Sequence, residues 1–200
     1  MPFRPHDLLW LRPGSFEPAA ELPAWLDDAA PVVVRRDVVA GDRIPAGARG
    51  LQRNQRCAGY VHADAVVRCV SPEMLSEPIE PCDWPCVAAL LSLKPQLDAL
   101  GLDWGPVGGA GFWLATGLPV LRPDSDLDLL VRAPARLETA VIAALCALRD
   151  SAACRLDIQI DTGAGGFALS EYARGAGRVL LKTAHGPMLV ADPWEALEPG

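Results

Sequence analysis

Two aspartates in alternation, Asp126 and Asp128, fall within Pro123-Asp124-Ser125-Asp126-Leu127-Asp128-Leu129-Leu130-Val131, a segment patterned like a strand. A period of two sends Leu127, Leu129 and Val131 to one face and both carboxylates to the other, about 7 Å apart. Like charges at that spacing repel unless a cation lies between them, and hard oxygen donors suit a divalent metal. An isolated pair of this kind is more often a solvated strand edge, so the neighbouring segments decide. Downstream, Leu156-Asp157-Ile158-Gln159-Ile160-Asp161 alternates in the same way, with Asp157, Gln159 and Asp161 on one face.

Upstream, Trp104-Gly105-Pro106-Val107-Gly108-Gly109-Ala110-Gly111 predicts a glycine-rich turn, and Phe112-Trp113-Leu114-Ala115-Thr116 a short helix. Glycine lets backbone approach phosphate oxygens, and free N–H groups at a helix start attract anions. Such a loop by itself more often only turns the chain. The ordered set is more specific: glycine loop, short helix, Ser-Asp-x-Asp strand, helix, and a strand with a third aspartate. That order resembles the nucleotidyltransferase superfamily of DNA polymerase beta type.

A second chemical signal lies in Gly47-Ala48-Arg49-Gly50-Leu51-Gln52-Arg53-Asn54-Gln55-Arg56. Between Val32 and Arg68 seven arginines face three aspartates, a local excess of +4 in an acidic chain. Guanidinium forks suit phosphate and carboxylate. A solvated basic loop accounts for the segment equally well. The pair Arg35-Arg36 reads as a strand exit into solvent.

Strands are expected over 7–11, over 31–39 from its β-branched run, and once or twice over 59–70. Residues 71–81, with Pro72, Pro78 and Pro81, read as a linker. A helix begins at Asp83-Trp84-Pro85 with Asp83 as its cap, and Pro95 should end or kink it. Residues 136–150 carry the clearest helical spacing, with Leu137, Val141, Ala144, Leu145 and Leu148 on one side. Ser170 caps a short helix, 178–190 forms a hairpin around Thr183-Ala184-His185-Gly186-Pro187, and Asp192-Pro193-Trp194 opens a last helix.

At 200 residues, half of them hydrophobic, the chain can bury one large core or two small ones. A net charge of −7 argues against a general nucleic-acid binder. No apolar run approaches the roughly 20 residues that span a bilayer. Nothing near Met1 has signal-peptide character, so a cytoplasmic protein without a membrane partner is expected. The six cysteines offer one close pair, Cys82 and Cys86, with no second pair or histidine to complete a zinc site, and read as buried hydrophobes or free thiols.

Over nearly its full length the chain resembles the malonate decarboxylase holo-acyl carrier protein synthases, also called phosphoribosyl-dephospho-CoA transferases. The resemblance rests on Arg4-Pro5-His6-Asp7-Leu8-Leu9-Trp10, on Gly47-Ala48-Arg49-Gly50 with Arg53 and Gln55-Arg56, and on Trp104-Gly105-Pro106. It continues through Gly117-Leu118-Pro119-Val120, Ser125-Asp126-Leu127-Asp128-Leu129-Leu130, Asp157-Ile158-Gln159, Leu180-Leu181-Lys182-Thr183 and Gly186-Pro187. It implies transfer of the prosthetic group from 2'-(5''-triphosphoribosyl)-3'-dephospho-CoA to a serine of the acyl carrier subunit of malonate decarboxylase, with release of diphosphate. Asp126 and Asp128 would hold Mg²⁺, with Asp157 as the third carboxylate and Asp161 as the second choice. Gly108, Gly109 and Ser125 would meet the triphosphate. Many superfamily members have serine at the second glycine position, so at Gly109 only backbone contacts remain. Arg49, Arg53 and Arg56 would bind phosphates or the carrier, and Lys182 would reach the phosphates.

The expected fold is α+β: a nucleotidyltransferase (polymerase beta-like) mixed sheet with helices mainly on one face over residues 79–200, and a smaller strand-rich domain over 1–78. Rival readings are a nucleotidyltransferase using ATP or CTP on another acceptor, the equivalent synthase for citrate lyase, and a non-catalytic binding module.

Overall fold

The computed structural model describes residues 3–39, 41–76 and 82–195. It is α+β, built on two six-stranded sheets. The first contains β1 (Leu8–Leu11), β2 (Glu17–Pro18), β3 (Val32–Val34), β4 (Arg43–Arg49), β5 (Arg56–His62) and β6 (Val66–Val70). Its order is β2-β5-β4-β3-β1-β6, with every pairing antiparallel. Leu9, Val32, Val34, Ala46, Ala48 and Val61 alternate inward and close on Phe16 as a small core.

The second half runs α1 (Pro85–Ala99), β7 (Asp103–Val107), α2 (Gly108–Thr116), β8 (Leu127–Arg132), α3 (Thr139–Ser151), β9 (Leu156–Asp161), β10 (Gly166–Ala168), α4 (Leu169–Ala173), β11 (Val179–Thr183) and β12 (Gly186–Val190). The sheet order is β12-β11-β10-β9-β8-β7, and β8–β9 is its one parallel pair among the described residues. A parallel neighbour requires a long crossover, which α3 supplies. Leu127, Leu129, Val131, Leu156, Ile158 and Ile160 meet Leu90, Leu93 and Leu97 of α1 and Leu145 and Leu148 of α3 in the main core. The helices therefore cover one face of these central strands. The other face carries three rungs in register: Asp128 beside Asp157, Leu130 beside Gln159, and Arg132 beside Asp161.

That second face looks toward the first sheet. Leu8 and Val70 pack on Phe112 and Val120. A 3-10 turn at Pro72–Ser76 lies so close to β7 that a Cβ on Gly105 would collide with the Pro72 carbonyl. The polar tie is Arg132, whose side chain is 7 % exposed. It pairs with Asp161 on its own sheet, reaches Glu73 at 3.0 Å and Asp7 at 3.6 Å, and donates to the Pro5 carbonyl at 2.9 Å.

Several local expectations are corrected. Residues 104–107 form strand β7 rather than part of a glycine turn, and the helix starts at Gly108. The arginine- and glycine-rich segment is a β4–β5 hairpin paired residue for residue from Arg43 to His62, so its backbone bonds rather than its side chains hold it. The strand expected over 31–39 is only Val32–Val34. Helix α1 passes through Pro95, and Trp84 rather than Asp83 occupies its cap position. The helix expected over 136–150 is shifted to Thr139–Ser151. Ala168, not Ser170, precedes α4, and residues 193–194 form a turn. The hairpin of β11 and β12 matches the expectation. The linker expected over 71–81 contains the 3-10 turn, while 77–81, and with them the 78/79 division, lie outside the described residues.

Arg132→Met keeps side-chain length without charge and strands the carboxylates around it. It is expected to cost about 3–5 kcal/mol, the scale for breaking a buried pair by removing one partner. Urea unfolding at pH 7 measures it, and a loss below about 1 kcal/mol, the scale of a surface pair, would contradict the bridging role.

Candidate active site

Between the two sheets lies a cavity of about 820 Å³, within the roughly 300–1,000 Å³ of small-molecule sites. Of the candidates named from sequence, Asp128, Asp157, Gly108, Arg49, Arg56 and Lys182 line it together. Asp126, Arg53, Gly109 and Ser125 do not. Asp126 precedes β8 and lies 3.7 Å from Arg155. Arg155 also pairs with Asp157 at 3.0 Å. Arg53 is exposed in the turn between β4 and β5. Ser125 closes a tight turn, accepting from the Arg122 N–H at 2.9 Å.

The acidic wall follows from register. Asp128 and Asp157 are side-by-side partners on parallel strands, and Val107 pairs with Asp128 from the other side. The next residue, Gly108, starts α2 with φ 62°, and a Cβ there would overlap the Asp128 carboxylate. A side chain at this position is thus barred twice, by backbone conformation and by space. Gly109 is different: a Cβ would meet only Leu121 at 3.5 Å. Burial, then the charges of Asp157 and Asp126, push Asp128 up to about 6. Like charges crowded in a half-buried cleft account for both contributions.

The basic wall comes from the first sheet. Arg49, at the end of β4, donates to the Gly108 carbonyl at 3.1 Å and stacks 4.8 Å from the Phe112 ring centroid. Its Nε is buried without a hydrogen-bond partner among the described residues. Burial and the neighbouring Arg56 lower it to about 10, against the attraction of Asp128, and it stays cationic at neutral pH. Arg35, read from sequence as a strand exit, also lines the cavity. A desolvated guanidinium with an unused donor is a strong phosphate receptor.

Asp161 is not part of this acidic pair. It is taken up by Arg132 and by Arg36 at 2.8 Å. Burial alone would raise its carboxyl, but Arg36, the Gly163 N–H and Arg132 hold it below its ordinary value. Sequence reasoning gave no role to His6, which lines the cavity with its Nε2 3.1 Å from Gln159 Nε2. Burial, then Arg36 and Arg132, lower His6 to about 4, so the ring is neutral at physiological pH. The signal that could have found it is Arg4-Pro5-His6-Asp7-Leu8-Leu9-Trp10, a stretch that carries the family resemblance but assigns the histidine no chemistry.

Among the described residues no group of three or more His, Cys, Asp or Glu forms a ready-made metal shell. The donor set still fits one class of ion. Mg²⁺ is held by one or two carboxylates together with waters and substrate phosphates rather than by a protein cage, and Asp128 with Asp126 or Asp157 offers that much. No helix among the described residues is long and apolar enough to cross a membrane.

Two family models match the chain: the phosphoribosyl-dephospho-CoA transferase MdcG N-terminal domain over residues 4–72, and the C-terminal domain over 74–193. Relatives named phosphoribosyl-dephospho-CoA transferase include one from Pseudomonas putida (strain GB-1), 47% identical, with 98% of this chain and 97% of that protein covered. One from Klebsiella pneumoniae (strain 342) is 45% identical with 98% of each covered. One from Pseudomonas syringae pv. tomato is 45% identical, with 97% of this chain and 94% of that protein covered. No solved structure matches.

The Asp128 carboxyl binds its proton more tightly folded, near 6, than at its ordinary 3.8, so its ionisation opposes folding as pH rises through that window. Asp128→Asn is therefore expected to melt higher than the wild type at pH 7 without divalent cation, by about 2–4 °C per kcal/mol of repulsion relieved. The gain should vanish only well below the ordinary 3.8, where both states are protonated. Melting curves from about pH 3 to 8 test this, and a difference that does not change with pH would contradict it.

Proposed function

The chain belongs to the phosphoribosyl-dephospho-CoA transferase family, and we propose from that membership that it loads the acyl carrier subunit of malonate decarboxylase. The donor is 2'-(5''-triphosphoribosyl)-3'-dephospho-CoA, and the setting is the cytoplasm. Six cysteines without a disulfide suit a reducing compartment. In the reaction the carrier serine oxygen bonds to the α-phosphorus, and the bond from that phosphorus to the bridging oxygen of the leaving diphosphate breaks. The serine proton leaves to a carboxylate of the acidic wall.

The observation that supports this reading is one cavity with Asp128 and Asp157 on one wall and Arg49, Arg56 and Lys182 around it. Phosphoryl transfer asks the protein mainly for positioning and charge stabilisation. Asp126, Asp128 and Asp157 would hold Mg²⁺, which when bound supplies Lewis acidity at the phosphoryl oxygens and a lower pKa for the acceptor hydroxyl. Gly108 and Gly109 would offer backbone N–H groups at the start of α2 to the triphosphate, with Ser125 beside Asp126 shaping the approach. Arg49 and Arg56, with Arg53 at the hairpin tip, would bind phosphates or the carrier. Lys182 would reach phosphates from β11.

In this reading residues 79–200 act as a polymerase beta-like nucleotidyltransferase domain and residues 1–78 as the smaller domain that closes over the donor. A nucleotidyltransferase using ATP or CTP would need the same acidic wall. Family membership favours the phosphoribosyl-dephospho-CoA donor. The equivalent synthase for citrate lyase would share that donor and differ in its carrier.

The test is the intact mass of apo carrier subunit after incubation with this protein, donor and Mg²⁺. The carrier is expected to gain one phosphoribosyl-dephospho-CoA group as diphosphate appears. Asp128→Asn should slow this on the order of 10²–10³-fold, the scale for removing one preorganised electrostatic group. No mass gain with wild type, while ATP or CTP yields metal-dependent diphosphate, would overturn the donor.

A further inference from the structure

We infer that His6 and Gln159 form a specificity pair for the sugar of the donor, hydrogen-bonding a free hydroxyl of the ribosyl group attached to the reacting phosphate. The inference rests on the donor proposed above and adds residues to which that reading gives no role.

His6 is held in an uncommon conformation. With φ 75° it is the one non-glycine residue in the left-handed region among the described residues. That backbone carries a cost for a residue with a Cβ and persists where surroundings over-determine it, often at binding sites. Here the surroundings are visible. The His6 N–H donates to Val34 O at 2.9 Å, and the Arg4 N–H to Asp7 Oδ2 at 2.8 Å. Arg132 holds the preceding Pro5 carbonyl. The turn that these bonds fix turns the imidazole into the cavity, onto Gln159.

Gln159 is positioned from the opposite sheet. It occupies the middle rung of the β8–β9 ladder, between the Asp128–Asp157 rung and the Arg132–Asp161 rung. Two residues along a strand place it about 7 Å from Asp157 on the same face. On β10, Gly166 pairs with Asp161, and a Cβ there would press on the Gln159 amide and on Arg36. Glycine there leaves the amide its room.

Chemistry then selects the ligand. With the Gln159 amide N–H donating to His6 Nε2, the neutral ring carries its proton on Nδ1, and that N–H together with the amide oxygen leaves one donor and one acceptor between them. A phosphate offers acceptors only and is served by the arginines. A hydroxyl gives and takes one hydrogen bond, and matches the pair. In the donor the ribosyl group is bonded directly to the phosphate that must lie at the acidic rung, so its free hydroxyls fall at the next rung along.

The test is a thermodynamic cycle between protein and ligand. Calorimetry on the full chain measures binding of the donor and of an analogue lacking both free ribosyl hydroxyls, in wild type, His6→Gly and Gln159→Met. Glycine adopts the left-handed backbone freely, so His6→Gly removes the ring without unfolding the turn, and its melting temperature is read alongside. Wild type is expected to prefer the donor about tenfold, the scale of one hydrogen bond, and both variants to bind the two ligands alike. If both variants keep the wild-type preference while donor binding is otherwise intact, the pair is structural and the inference falls alone. If wild type binds neither ligand, the donor reading falls and takes the inference with it.

Discussion

The guanidinium of Arg132 is the contact on which the rest depends. It lies at the end of β8, buried, and faces Asp161 from its own sheet, Glu73 from the 3-10 turn, and Asp7 and the Pro5 carbonyl from the start of the chain. A buried charge is tolerated only when paired and hydrogen-bonded. Here Arg4 and Arg36 join it against the same three carboxylates, so the cluster balances. Because its members come from both sheets, satisfying them fixes how the sheets face one another. The cavity is the space left between them.

One ladder thus does two jobs. At the Arg132–Asp161 rung opposite charges meet and bind the halves together. Two rungs along, Asp128 and Asp157 place like charges side by side, and the proton affinity of Asp128 rises in consequence. Repulsion kept there favours any cationic or proton-bearing partner that neutralises it. Arg49 crosses from the first sheet to the Gly108 carbonyl and sets a desolvated cation near the same carboxylate. Acidic and basic walls therefore converge on one volume, an arrangement suited to a polyphosphate with its counter-ion.

Much of this was legible in the residues. Alternation over Asp126–Val131 and over Leu156–Asp161 sends Leu127, Leu129, Val131, Leu156, Ile158 and Ile160 into the main core and Asp128 and Asp157 to the other face, where Leu130 is buried beside Gln159. Only the end of the β4–β5 hairpin, from Gly59 on, was legible, because its pairing is made by backbone and β4 mixes Pro45, Gly47 and alanines with arginine rather than a β-branched run. Pro95 inside α1 defeats a local rule that tertiary packing overrode, with Leu93 and Leu97 buried on either side. The most consequential misses are long-range. Arg36 reads as a strand exit until Asp161 is seen beside it, and the left-handed turn at His6 depends on an arginine more than a hundred residues away. No local pattern carries such information.

A donor bound as proposed lies between the sheets and touches both. Amide hydrogen exchange on the full chain, with and without donor and Mg²⁺ and with no carrier present, tests it most directly. Slowed exchange in two separate stretches is expected, around Arg49–Arg56 in the first sheet and around Gly108–Asp128 in the second. Protection confined to one sheet, with the other unchanged at saturating donor, would contradict a site built from both.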